Sequence, residues 1–271
     1  MVQQNKFPST PIYGPGSQPQ DLSGDNADTP YLGIYTQETT QRFMLGTRYI
    51  TWDGRVFKYA KSSGTWTCSS LVHHTLKQEI LWNALTADQP IGSYQVECDV
   101  DTTDADGSGN IVADALSGGY VAVFGTTVAI RGIVANNAVV TGSTNITLDL
   151  DAPCSTAWTT SHSCEAMSSP YYGVNNTGDV AVQGHVGRAV MPCVSGEFGW
   201  IQTWGVCFIS PQANVGAGTW QTGVTCRTDG SLDCRNNRLE GTADYQQPVG
   251  FVISNNDAAQ ALPFIMLQIS I

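Results

Sequence analysis

Residues 196–211 (GEFGWIQTWGVCFISP) are apolar at both phases of a two-residue period. Phe198, Trp200, Gln202, Trp204, Val206 and Phe208 fall on one face, and Gly199, Ile201, Thr203, Gly205, Cys207 and Ile209 on the other. Successive strand side chains point to opposite faces, so a run apolar on both predicts a strand covered on two sides. Its glycines thin the second face and leave room for a neighbouring backbone or ring. Residues 188–194 (RAVMPCV) lead into this strand. At residues 264–271, Ile265, Leu267, Ile269 and Ile271 share one face, which predicts a strand paired to its last residue.

The same reading places strands near residues 94–100, 119–124, 127–134, 144–150, 180–183, 221–226 and 247–253. Short strands at such intervals, separated by Gly, Asn, Asp and Ser, predict an all-β chain, an antiparallel sandwich or barrel. In residues 42–61 (RFMLGTRYITWDGRVFKYAK), Asp53-Gly54 suits a two-residue hairpin turn. That turn pairs Trp52 with Arg55, Ile50 with Phe57 and Arg48 with Tyr59. Residues 69–85 (SSLVHHTLKQEILWNAL) place Leu71, Val72, Leu76, Ile80 and Asn83 on a helical stripe capped by Ser69 or Ser70, the alternative being an extended connector. Residues 1–40 are rich in Pro, Gly and Gln and cannot build a core. Their spaced Phe7, Ile12, Tyr13, Tyr31 and Tyr35 suit an extended arm that docks on a neighbouring surface. The expected division is an arm (1–40), a hairpin and connector (41–92) and a main β-domain (93–271).

Composition narrows the function classes. At 271 residues the chain can bury a sizeable core without staples. Twenty-three acids against 12 bases give a net charge of −11, and the absence of any Lys/Arg run argues against a nucleic-acid surface. No segment approaches the ~18 apolar residues of a membrane span, and the N-terminus lacks the basic-then-apolar order of a signal peptide. The eight cysteines contain no C-x-x-C. Cys193 and Cys207 read as core residues, while Cys154/Cys164 and Cys226/Cys234 bracket loops that a local disulfide could close.

Candidate chemistry is sparse. Residues 104–115 (DADGSGNIVADA) begin like a calcium loop, with Asp104, Asp106 and Ser108 in register, but the twelfth position is Ala115 and Asp114 comes one place early. An acidic turn in solvent is the plainer reading. His73, His74, His162 and His185 sit in no nucleophile or metalloprotease motif, and Cys154, His162 and Cys164 have the wrong spacing for a zinc finger or ribbon. No catalytic residue, metal or cofactor is therefore expected. Of the seven tryptophans, Trp158 and Trp220 lie in polar loops and are the candidates for a sugar platform, whereas strand tryptophans belong to cores or interfaces.

The order of segments is itself informative. An Asp-Gly hairpin with RVFKYAK precedes DALSGGYVAVF (114–124) and IRGIV (130–134). NITLDLDAP (145–153), GEFGWIQTWGVCFISP, QPVGFVIS and ALPFIMLQISI follow. This arrangement resembles the head decoration (cement) proteins of tailed bacteriophages, over residues 42–61 and 110–271. The resemblance implies a non-enzymatic virion protein, assembled in the host bacterial cytoplasm and sitting on the capsid exterior. Its implied partners are the major capsid protein and two further copies of itself, in a homotrimer. In such a setting the arm residues Phe7, Ile12, Tyr13, Tyr31 and Tyr35, which lie outside the stretch that carries the resemblance, are the ones expected to contact the capsid. A receptor-binding or tail protein, or a carbohydrate-binding module, is the alternative. The former predicts a long repetitive shaft, and the latter exposed coplanar aromatics.

Overall fold

The computed structural model describes residues 33–51, 53–74, 78–140, 145–176, 184–211, 215, 223–227, 229–234, 247–254 and 263–269. A 3-10 turn, Gly33–Tyr35, precedes strands β1 (Arg48–Ile50), β2 (Val56–Lys61), β3 (Leu71–His74), β4 (Gln78–Ala84) and β5 (Gln95–Asp99). One helical turn, α1 (Asp104–Gly107), leads to β6 (Tyr120–Phe124), β7 (Val128–Asn136), β8 (Asn145–Leu150), β9 (Ser163–Met167) and β10 (Val174–Asn175). The remaining strands are β11 (His185–Ala189), β12 (Phe198–Phe208), β13 (Gly223–Cys226), β14 (Leu232–Cys234), β15 (Gln247–Val252) and β16 (Phe264–Gln268). The chain is all-β, with two curled antiparallel sheets.

Two compact units divide it. One comprises Met1–Thr75 and Gly173–Ile271, and the other, Leu76–Tyr172, is inserted between β3 and β10. The boundary expected at residues 92–93 thus lies inside the inserted unit, between β4 and β5.

In the first unit the ten-stranded sheet runs β10-β3-β11-β12-β16-β15-β13-β14, with β2 and β1 branching from β12. Strand β12 is the axis, since β2, β11 and β16 all pair with it. Burial on both faces is as the sequence dictates: from Phe198 to Thr203 every residue is buried. The glycine-thinned face is filled by close approach. A methyl at Gly199 would lie 2.8 Å from Cys193 Sγ and 3.3 Å from the Trp66 ring, and one at Gly205 would lie 2.7 Å from Arg55 Cγ. On the other face Trp200 packs against Tyr49, Tyr59 and Phe43, and Tyr59 stacks on Phe198. A second cluster gathers Leu71, Cys207, Ile209, Val224, Leu232 and Val249 with Ile265 and Leu267 of β16. Ile269 packs against it and donates its N–H to Thr203 O (3.1 Å), while Ile271 lies outside the described residues.

Two sequence expectations are corrected. The hairpin is one residue out of the expected register: Ile50 faces Val56, Tyr49 faces Phe57 and Arg48 faces Lys58. Thr51 N–H bonds Arg55 O and Gly54 N–H bonds Thr51 O, both at 3.0 Å, with Gly54 at φ +81°. The loop thus closes between Thr51 and Arg55 with glycine in the left-handed position of a bulged turn, instead of as a two-residue turn. A one-residue slip exchanges faces, which puts Tyr49 with Phe57. The helix expected over residues 69–85 is instead the pair β3 and β4. All four residues of β3 are buried, and a four-residue run buried all round suits a central strand better than a one-sided helix. Strand β3 belongs to the first unit and β4 to the inserted one.

The six-stranded sheet of the inserted unit runs β4-β9-β6-β7-β8-β5. Its core holds Ile80, Val96, Cys98, Val121, Val123, Ile146, Leu148, Cys164 and Ala166, with Leu116 and Trp158. These are alternate residues of each strand, so the intervening ones form the outer face.

Candidate interaction surface

That outer face is apolar over half its width. Cross-strand rows of β9, β6 and β7 align Met167–Tyr120–Gly132, Glu165–Ala122–Ile130 and Ser163–Phe124–Val128. Val128 is 60% exposed, Ile130 63% and Tyr120 50%. At the β4 edge, register shifts between Ile80 and Asn83 extrude Leu81 and Trp82. Trp82 takes φ +56°, a rare value for a bulky residue, is 58% exposed, and packs on Phe124 with ring centroids 4.5 Å apart. Together these side chains present on the order of 500 Å² of apolar surface, toward the upper end for a monomer's largest patch.

Across β8 and β5 the outer face turns polar and acidic. Asn145 faces Asp99, Thr147 faces Glu97 and Asp149 faces Gln95. The Asp151 carboxylate accepts from Gly132 N (3.0 Å), and Arg131 turns its guanidinium to Pro153 O and Ser155 Oγ instead of to these acids. A partner with an apolar centre and basic flank would complement this face.

The arm residues fare differently from one another. Phe7, Ile12, Tyr13 and Tyr31 lie outside the described residues. Tyr35 is exposed at the end of the 3-10 turn, with its hydroxyl engaged by Arg55 of the same unit. The chain after it is tied down. Glu38 and Phe198 exchange backbone hydrogen bonds of 2.9 and 2.7 Å, and the Glu38 carboxylate meets both Tyr59 Oη and Arg42. Residues 33–40 therefore dock on their own unit, which composition alone did not indicate.

Other candidates take structural roles. Trp158 is buried, paired with Gln89 through two backbone hydrogen bonds, and so offers no sugar platform. Trp52 and Trp220 lie outside the described residues. Asp104 is not in solvent: it is fully buried, and its carboxylate accepts from Leu81 N and Asp101 N, both at 2.8 Å, and from Asn83 Nδ2. These bonds lock α1 to β4 and occupy the oxygens a cation would need. Among the described residues no three His, Cys, Asp or Glu side chains gather as metal ligands.

All eight cysteines are free thiols. Cys226 and Cys234 lie diagonally across β13–β14, a spacing of about 7–8 Å between Cα atoms that exceeds disulfide reach. Cys164 meets Cys98 in the core, not Cys154, and this thiol contact, reinforced by burial, holds the Cys98 proton firmly. Burial pushes Cys193 and Cys207 up to about 12, so both are thiols, not nucleophilic thiolates, at neutral pH.

The surface was missed in the sequence because an outward apolar set looks the same as a strand buried on both faces. The one signal was the apolar run Ile80-Leu81-Trp82, which a half-buried strand of strict alternation does not contain. No family model, curated protein or solved structure matches this chain.

Proposed function

We propose that this chain is a non-enzymatic structural protein that binds the outer surface of a tailed-phage capsid, as a homotrimer in contact with the major capsid protein. The observation that supports this reading best is the apolar outer face of Trp82, Phe124, Tyr120, Val128 and Ile130 beside an acidic strip. A protein built to sit on another needs such a face, and the net charge of −11 favours the outside of a shell over its DNA-filled interior. Magnitudes favour several copies. At about 25 cal/mol per Å², roughly 500 Å² yields on the order of 12 kcal/mol, most of which the ~4–15 kcal/mol cost of association consumes. Three linked copies bind through effective concentration what one copy holds weakly.

The test is co-sedimentation of purified protein with undecorated capsids. Wild type is expected to pellet with the shells, and a Trp82→Asp/Ile130→Asp variant with unchanged circular dichroism to lose at least about tenfold in affinity. Failure of the wild type to bind shells sinks the reading. A second reading, a glycan-binding or receptor-binding module, draws on the exposed Trp82 ring, whose apolar face suits a sugar. Glycan-array binding that is abolished by Trp82→Ala, without capsid binding, would favour it.

A further inference from the structure

Strand β3 lies between β10 and β11, and the chain leaves the first unit from its end to enter the inserted one. His73 on β3 and His185 on β11 are direct cross-strand partners. Both are buried, with their rings T-shaped at 5.8 Å between centroids. Nε2 of His185 is buried and meets no hydrogen-bond partner among the described residues. Two imidazoles so placed can be accommodated neutral, but a charge on one is unsolvated and faces the other.

We propose that the His73–His185 pair is an acid-sensitive latch on β3, whose protonation releases the His73–His74 end of the strand from β11 while the rest of the sheet stays closed. Among the described residues two titratable groups act on His185. His73 opposes its protonation across the pair, and Asp229, from the turn between β13 and β14, favours it. Asp229 is already occupied by Ser231 N and Oγ, at 2.9 and 2.6 Å. Burial, then His73, holds His185 down at about 4, and burial lowers His73 as well. Elsewhere the fold confines the opening. Leu71 N–H is bonded to Gly230 O (2.9 Å), which pins the start of β3. Val174 of β10 is held independently through its carbonyl by Ser63 N and Trp66 Nε1. What acid frees is thus the exit of β3, where His74 N–H bonds Gly184 O at 3.1 Å.

The test is amide hydrogen exchange of the full chain by NMR, read as protection factors between pH 7.5 and 4.5. Local opening that lets His185 regain its ordinary affinity for a proton lowers the His74 protection factor about tenfold by pH 5.5, and further by 4.5. Amides of Cys207 and Leu267, in β12 and β16, exchange only when the whole unit opens and are expected to stay better protected than His74 at every pH. A His73→Gln/His185→Gln variant with native near-UV dichroism is expected to lose the pH dependence. Constant protection at His74 in the wild type overturns the proposal, as does protection at His74 equal to that of Cys207 and Leu267 throughout, or a fall that persists in the variant. If the variant does not fold, the wild-type imidazole signals decide. Midpoints well below 6 that track the His74 exchange support the latch, and midpoints near 6.5 refute it.

Discussion

Asp104 shows how a residue type that suggests a ligand can be consumed by structure. Its carboxylate takes hydrogen bonds from two backbone amides and one side-chain amide, all from within the inserted unit. Removing an acceptor leaves buried donors unpaired, at about 1–3 kcal/mol each. Asp104→Ala is therefore expected to destabilise the inserted unit by roughly 3 kcal/mol or more, read as a lower urea midpoint. Calorimetric titration of wild type with Ca²⁺ is expected to show nothing tighter than about millimolar, the weak end for calcium modules. The sequence revealed the failed loop through Ala115, but not that Asp104 would be interior, because its donors come from residues 81 and 83, remote in the chain. Trp158 misled in the same way: polar neighbours in sequence said loop, while the space around the ring was filled by the core of its unit.

At the scale of elements, two glycines with positive φ separate strain from overlap. Gly54 stands at φ +81° with open space around it, and Gly250 stands at φ +146°, where a methyl would overlap the carbonyl oxygen of Met266 on β16. Gly54→Ala is expected to cost only the left-handed penalty, about 1–2 kcal/mol, with the fold intact. Gly250→Ala must part β15 from β16 and is expected to cost clearly more, measured by comparing the urea midpoints of the two variants. Strands with large residues at one parity, such as β8 and β16, were legible because that parity had to be buried, and β12 was legible because both parities were apolar. Strand β9 was not, since its inward residues are only Cys164 and Ala166, too small to announce a buried face. The hairpin's existence was written in Asp53-Gly54, but its register depended on loop closure at Thr51 and Arg55, which composition does not fix.

For the whole molecule, the histidine pair lends one unit a pH dependence of its own. Above pH 6.5 His185 is neutral folded or unfolded. As pH falls from there toward about 4, the unfolded chain binds a proton that the buried site refuses, so stability declines with acid. The full loss, from 6.5 to about 4, is on the order of 3 kcal/mol. Calorimetry is expected to show two transitions, and the one belonging to the first unit is expected to lose several degrees between pH 7 and 5. Substitution of both histidines by Gln is expected to flatten that slope. The two-unit organisation itself was hidden in the sequence, because no linker composition marks the crossings at residues 75–76 and 172–173. Those crossings have a consequence for construction. His74 and Val174 are paired Cα partners, only about 5 Å apart in an antiparallel ladder. The first unit thus receives its guest through a doorway one hairpin wide. Joining 74 to 174 with a two-residue Asn-Gly turn is expected to give a shortened host that folds and keeps the β12 sheet. The same doorway could then admit a foreign domain whose own ends lie close together, making the protein a chassis for displayed cargo.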